Sequence, residues 1–453
     1  MERMAYKFLQ QWKQTKYRKP LICRGARQVG KTYLIETFAQ KEFPQTVSIN
    51  FEQEVHLQKI FEQLNPTKIL KELALLKATK IIPGKCLLFL DEIQACPQAL
   101  RSLRYFYEEL PSLHIIAAGS LLDLTLSAQN ISMPVGRVEY LYLHPLSFLE
   151  FLKAFNEHGL IDYLQNLPGL EPLAHSIAAK FLQYLKEYFF IGGMPEVVKA
   201  YVAEKDYLLC NKIQGNLIES FRDDFAKYAK SLYWDRLTKV FYTVPKLLGQ
   251  KFKYVNIDQN YKARDLQFAF ELLEKAQIIK RIKATAGSGL PFEAEASLTA
   301  FKPLFLDIGL AQKICGLSSE IILNNTELIN KGGLAEQFVG QELLAYAPSD
   351  TVPRLYYWKK ENGHNSEVDY LFAAKGKVIP LEVKTGSAGS LKSLHQFVSK
   401  YQSKIAVKIT QENIELKKLQ VKLPHKKSSI SFSLLNVPLY AIWHLANLLS
   451  KSY

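Results

Sequence analysis

The sequence predicts an α/β chain of several units: a parallel sheet covered by helices on both faces, a helical segment, a winged-helix-like unit and a second α/β unit. Three observations carry that expectation. From Pro20 to about Leu143 short, continuously apolar runs alternate with helical patterns; after Pro145 long amphipathic helices take over; and from Gly332 a helix precedes a β-rich hairpin. Strands that are apolar along their whole length and separated by helices belong to parallel sheets buried on both sides. At about 100–200 residues per domain, the 453 residues accommodate four blocks, 1–150, 151–230, 231–325 and 326–453.

The predicted sheet draws on Leu21-Ile22-Cys23, Val47-Ser48-Ile49, Cys86 to Leu90, Ile115-Ile116-Ala117 and Tyr140 to Leu143. The helical segment includes Leu149 to Phe155 and Ala178 to Phe190 and breaks at Gly192-Gly193-Met194-Pro195. Between about Leu232 and Leu310 the order is helix, turn, helix (Ala263 to Ala276), then strands Ile278 to Ala284 and Ala294 to Ala300 around a Gly-Ser-Gly-Leu-Pro turn. That is the order of a winged helix, with Ala263 to Ala276 as recognition helix and Gly287-Ser288-Gly289 as wing tip. The helix mixes Lys262, Arg264 and Lys275 with Asp265, Glu271 and Glu274, so its charge does not single it out for DNA. The last block opens with a helix, Leu334 to Tyr346.

Composition limits the function classes. Lys and Arg number 58 against 43 Asp and Glu, a formal charge of +15, which favours polyanions such as nucleic acid or an anionic membrane without choosing between them. The densest basic stretches run from Lys13 to Arg27 and from Lys400 to Lys427. Cys23, Cys86, Cys96, Cys210 and Cys315 are odd in number and form no C-x-x-C pair, which argues against a zinc site and reads as packing in a reducing compartment. No stretch reaches the roughly 18 apolar residues of a membrane span, and the basic start Met1 to Pro20 has no apolar core of a signal peptide. A cytoplasmic protein without membrane contact is the expectation.

Gly25-Ala26-Arg27-Gln28-Val29-Gly30-Lys31-Thr32 fills the template G-x-x-x-x-G-K-[ST], after a predicted strand and before a predicted helix. Glycines let backbone N–H groups curl around phosphates, and the helix N-terminus adds its positive end. Lys31 would then reach the β- and γ-phosphates of ATP, and the Thr32 hydroxyl would hold Mg2+. The apolar run Leu87 to Leu90 ends in Asp91-Glu92, at the carboxyl edge where parallel sheets bind ligands. Asp91 is read as holding the magnesium through water or Thr32, and Glu92 as the general base on the attacking water. Ile115 to Ala118 ends in Gly119-Ser120, a hydroxyl suited either to positioning water near the γ-phosphate or only to capping a helix.

In the last block, Val368 to Ala373 and Val378 to Val383 flank a Lys375-Gly376 turn. That turn sets Asp369 opposite Glu382 and Glu367 opposite Lys384, with all four side chains on one face. Opposed carboxylates cost stability, so a cation belongs between them. A divalent metal held by Asp369 and Glu382, with Glu336 adding a carboxylate, is one reading; Lys384 would then orient or deprotonate water for attack on a phosphodiester. A solvent-facing hairpin with Glu367 and Lys384 as an exposed ion pair is the other.

These residues together resemble the bacterial and archaeal AAA-type ATPases that carry a C-terminal domain formerly of unknown function, the DUF4143 type. The resemblance rests on Gly25 to Thr32, Asp91-Glu92-Ile93-Gln94, Gly119-Ser120, Gly136-Arg137 and Pro145-Leu146-Ser147-Phe148-x-Glu150. It continues through Gly192-Gly193-x-Pro195, Glu367-Val368-Asp369 and Glu382-Val383-Lys384, and so spans nearly the whole chain. It implies a P-loop AAA-type sheet, a winged helix and a restriction-endonuclease-like C-terminal domain. Asp369 with Glu382-x-Lys384 is similar to the PD-(D/E)xK nucleases, although no Pro precedes Asp369. Gly136-Arg137 recurs in the look-alikes, which makes Arg137 the candidate arginine finger, with equal weight on a structural ion pair; Arg101 and Arg104 are lesser candidates. A finger acting between copies would require a ring or dimer.

The expected function is magnesium-dependent ATP binding and hydrolysis coupled to a C-terminal domain that binds nucleic acid, with cleavage of DNA left open. The alternatives are an ATP-gated DNA-binding switch with an inert nuclease-like domain, and an ATP-driven remodeller of proteins.

Overall fold

The computed structural model describes residues 1–120, 122, 124, 133–228, 231–317, 332–360, 366–384, 390–422 and 429–452. The first sheet has strands β1 (Leu21–Arg24), β2 (Gln45–Asn50), β3 (Cys86–Asp91), β4 (His114–Ala118) and β5 (Glu139–Tyr142), in the order β2-β3-β4-β1-β5. All neighbours are parallel. Alternate residues feed two cores: Ile22, Leu88, Leu90, Ile115 and Ala117 face one layer, while Cys23, Leu87, Phe89, Ile116 and Ala118 face the other. That two-sided burial is why β3 and β4 are apolar throughout. At the sheet's edge β2 buries only Val47 and Ile49 on alternate positions.

The helices after Pro145 form where expected, within a few residues: Phe148–Ala154, His175–Ile191, Ala263–Lys275 and Gly332–Ala345. Ser147 and Glu150 close a capping box on the first of them, satisfying the orphan N–H groups of its opening turn. One large apolar core draws on residues from Leu124 to Leu449, and a smaller separate one gathers Trp358, Val368, Leu371, Leu394 and Phe397 in the C-terminal part.

The winged-helix expectation needs correcting. A helix pair, Ser231–Thr243 and Ala263–Lys275, does precede an antiparallel hairpin of β6 (Ile279–Thr285) and β7 (Ala296–Phe305), with β7 running five residues beyond the expected Ala300. The hairpin is no free wing. Strand β6 also pairs in parallel with β8 (Leu355–Lys359), which pairs with β9 (Glu367–Val368), so the third and fourth blocks share a sheet of order β7-β6-β8-β9. Gly287 is buried: a Cβ there would stand 2.8 Å from Leu371 and 3.2 Å from Phe397, and the Tyr401 hydroxyl donates to the Ala286 carbonyl at 2.5 Å.

The remaining strands are β10 (Tyr370–Ala374), β11 (Lys377–Val383), β12 (Ile405–Thr410), β13 (Glu415–Lys422) and β14 (Ser429–Pro438), in the order β10-β11-β12-β14-β13. The parallel step from β11 to β12 crosses over through the helix Lys392–Tyr401. Among the described residues no helix is long and apolar enough to cross a membrane. Four of the five free cysteines are packed inside as expected, but Cys315 is exposed.

Candidate functional site

Strand β1 delivers Gly25 to Thr32 to the carboxyl edge of the first sheet, and the helix Lys31–Glu42 starts at Gly30. Gly30 has φ 89°, a left-handed backbone that side chains resist, and so turns the loop into the helix. Lys31 is buried, and its ammonium donates to the carbonyls of Gly25 (3.1 Å) and Ala26 (2.8 Å). Burial lowers its pKa, opposed by Cys23, Glu92 and Asp91. The side chains of Arg27 and Gln28 turn outward to the helix Tyr207–Tyr228, Arg27 as an ion pair with Asp224 and Gln28 as a donor to Ser220 at 3.4 Å. Val29 is fully buried in the core beside the loop.

The Thr32 hydroxyl donates to Asp91 Oδ2 at 2.9 Å, which brings both magnesium candidates to one point. Burial raises the Asp91 pKa, and the Thr32 hydrogen bond opposes it. Glu92 follows with φ 49°, its N–H donating to Asp91 Oδ1 at 3.1 Å. Gln94 Nε2 donates to Glu92 Oε2 at 2.6 Å, which holds the proposed base. Gly119 is needed for that contact, because a Cβ there would lie 2.4 Å from Gln94 Oε1. Ser120 is buried just past β4, the strand between those carrying the phosphate loop and Asp91, so it joins the same edge. An open cleft of about 740 Å3 between the first two helices is lined by Arg3, Met4, Tyr33, Leu34 and Thr37, among others, and by no residue of the phosphate loop.

Arg137 is not brought to this edge. It precedes β5, whose first residue Glu139 pairs with Leu21 at the start of β1, so it stands at the amino edge, opposite the phosphate loop. Its guanidinium is paired with Glu108 at 2.8 Å, the structural role. Arg104 is also paired with Glu108, at 3.3 Å.

In the C-terminal hairpin the register is as expected, Tyr370 with Leu381 through Ala374 with Lys377, but the ladder ends there and does not include Asp369. Glu367 does not face Lys384. The chain changes sheets at Asp369, between β9 and β10, and Glu367 pairs with Lys359 of β8 instead.

At the expected metal position a lysine stands among the carboxylates. Lys302, buried in β7, supplies the cation: its ammonium lies 3.0 Å from Glu336, 3.1 Å from Glu367 and 3.3 Å from Asp369. Glu382 takes Lys384 at 2.9 Å, and Asp369 Oδ2 also accepts from the Val383 N–H. Among the described residues no group of three or more His, Cys, Asp or Glu is arranged to hold a metal ion. Burial opposes the charge on Lys302, but Glu336, Asp369 and Glu367 outweigh it and hold its pKa well above the ordinary lysine value. Burial likewise opposes the charge on Lys384, but Glu382, with Asp369 and Glu336, more than offsets it and holds its pKa above the ordinary lysine value. Burial and then Asp369 raise the pKa of both Glu336 and Glu382.

Two further carboxylates tie the halves together. Glu342, fully buried on the helix that carries Glu336, accepts from the N–H of Phe148 at 3.0 and 3.1 Å. Asp307 accepts from the N–H groups of Gly193 (2.6 Å) and Leu310 (3.0 Å), and Pro195 of the same Gly-Gly-x-Pro stretch lies against Gly30. Burial pushes the Glu342 pKa up to about 8 and that of Asp307 to about 6. Sequence reasoning missed Lys302, although one lysine inside the apolar run Ala300 to Phe305 is a signal for a buried ion partner. It also missed Glu342 and Arg3, which no local pattern marks.

Comparison with known proteins places three family models on the chain: an AAA domain on residues 17–152, and domains of unknown function DUF8612 on 182–321 and DUF4143 on 331–427. The uncharacterized protein MJ1544 of Methanocaldococcus jannaschii is 30% identical over 177 residues, 39% of this chain and 35% of that relative. This chain therefore matches only about a third of that protein's length. Among solved structures, the Walker-type ATPase PABY2304 of Pyrococcus abyssi is similar at 14% identity and TM-score 0.45, covering 69% of this chain and 94% of that one. The Aeropyrum pernix ORC2 protein, in ADPNP-ADP complexes, follows at 12% identity and TM-score 0.34, covering 71% and 93%. The chain thus carries an AAA-type, ATPase-like P-loop domain followed by two domains of unknown function.

Proposed function

We propose that the chain binds and hydrolyses ATP with magnesium, and that its nucleotide state governs nucleic-acid binding by the C-terminal half without cutting the nucleic acid. The observation that carries the first part is the Thr32–Asp91 contact at 2.9 Å, with Lys31 inside the loop and Glu92 beside it. Thr32 and Asp91 would hold the Mg2+, which offsets charge on the phosphates. Lys31 would leave its carbonyl partners for the β- and γ-phosphates. Glu92, oriented by Gln94, would accept the proton of the attacking water, with Ser120 within the same edge.

The charge of +15 supports a polyanionic partner, and DNA is the favoured one. The non-cutting part rests on Lys302, which neutralises Glu336, Asp369 and Glu367 from within the chain. Four buried free cysteines suit a cytoplasmic setting. A finger role for Arg137 would require a second copy of the chain, because its own loop lies at the opposite edge.

The test is hydrolysis of MgATP with and without double- and single-stranded DNA, for the wild type, Lys31→Ala and Glu92→Gln. Stimulation by DNA that both variants abolish supports the reading. A rate indifferent to DNA, with no salt-dependent DNA binding, turns it toward a remodeller of proteins. Metal-dependent cleavage that Lys384→Ala removes would overturn the non-cutting part.

A further inference from the structure

We propose that Arg3 is the positioning residue of the phosphate loop. The inference rests on the ATPase reading and adds to it a residue outside every motif described above. Arg3 is 6% exposed and uses all three guanidinium nitrogens: Nη1 donates to the Val29 carbonyl at 2.9 Å, Nη2 to the His144 carbonyl at 2.6 Å, and Nε to Glu150 Oε1 at 3.1 Å. Glu150 is itself fixed, because Oε2 accepts from the Ser147 N–H at 3.0 Å and Oε1 from the Met4 N–H at 2.7 Å.

The consequence follows from peptide geometry. In a trans peptide the carbonyl of one residue and the N–H of the next point in opposite directions within a rigid plane. Val29 and Gly30 share such a plane, so a guanidinium that holds the Val29 oxygen also aims the Gly30 N–H the other way, away from Arg3. Gly30 has φ 89° and no side chain to fix its orientation, so that plane needs an external anchor. Lys31 cannot provide one, since its ammonium is bound to the carbonyls of Gly25 and Ala26. Arg3 acts on the loop through the Val29 carbonyl, and Glu150 balances its charge. The rigid fork matters here, since three acceptors in three directions are beyond a lysine.

The experiment uses the full chain as wild type, Arg3→Gln, Arg3→Lys and Glu150→Gln, with KM and kcat for MgATP, the affinity for ADP by calorimetry, and thermal unfolding of each. Arg3→Gln is expected to weaken ADP and raise KM by tenfold or more while kcat at saturation changes less than threefold. Arg3→Lys and Glu150→Gln should move the same way by smaller factors. A residue that only stabilises the fold would lower the fraction of active molecules, reducing kcat with KM unmoved, and that result overturns the proposal. Unchanged KM and ADP affinity in a folded Arg3→Gln overturns it equally. If Arg3→Gln does not fold, Arg3→Lys and Glu150→Gln decide by the same two quantities. A wild type that binds neither ATP nor ADP would sink the ATPase reading and Arg3 with it, whereas a wild type that hydrolyses ATP isolates the question to Arg3.

Discussion

Two regions of this molecule set carboxylates at strand ends beside lysines, and they resolve the charge in opposite ways. At the first sheet, among the described residues, Lys31 is bound to backbone carbonyls, and Asp91 to a hydroxyl and an N–H. No ion pair among the described residues joins Lys31 to a carboxylate there, so both keep their capacity for phosphate and metal. At the C-terminal hairpin, Lys302 and Lys384 are already taken by Glu336, Glu367, Asp369 and Glu382. Residue types alone do not make a site; what counts is whether each charge has been spent inside the chain.

The comparison breaks most directly at its first member. Lys31→Ala should lower kcat/KM for MgATP by on the order of 100-fold or more, and Glu92→Gln should lower kcat by about 100- to 10,000-fold while ATP still binds. Hydrolysis persisting at half the wild-type rate in either variant would remove the ATPase from the account.

At the second member, Lys302→Met should cost about 3–5 kcal/mol in urea unfolding at pH 7, since it strands buried carboxylates without their cation. Adding Mg2+ or Mn2+ sharpens the point. Recovery of the lost stability by either ion would mean the acids accept a metal once the lysine is gone, and no loss at all would show that Lys302 is not their counter-ion.

A smaller effect is expected at Glu342, which has no lysine partner among the described residues. Its folded pKa, about 8, lies above the ordinary 4.5, so the folded chain holds the proton more tightly. The stability it contributes is fully present below about 4.5 and is lost as pH rises through about 8. Asp307, at about 6, acts in the same direction over a lower window. Urea midpoints should therefore fall between pH 5 and pH 8.5 in the wild type and fall less in Glu342→Gln. Identical pH dependence in the two would remove Glu342 from that linkage.

The smallest change is expected at Arg137. Arg137→Ala should alter ATP hydrolysis less than twofold in dilute solution, where any second copy is absent, because the side chain stands at the far edge of the sheet. A tenfold loss under those conditions would reinstate it as a finger.

The first site was legible because it is local. Eight consecutive residues make the loop, and an apolar strand followed by two acids makes its partner, so neighbours in sequence are neighbours in space. The hairpin register was legible for the same reason, from Lys375-Gly376. Lys302 was not, because it lies 67 residues from Asp369 and reaches it only once β6 and β8 share a sheet. The winged-helix pattern gave the right elements in the right order and the wrong exposure, since nothing in residues 279–305 announces a partner strand at 355. Arg3 was out of reach for a similar reason: its acceptors at Val29, His144 and Glu150 are gathered only by tertiary packing.

The shared sheet has a consequence for synthesis. During translation β6 and β7 emerge some 50 residues ahead of β8, so the hairpin must wait with one long edge unpaired while the intervening chain is made. An open edge of that kind invites pairing with a foreign strand. Late closure of a non-local ladder also slows folding. A chain ended near residue 325 would carry that vacancy permanently, and a chain begun there would lack the lysine its acids require, so neither half can be handed to another protein as a ready-made module.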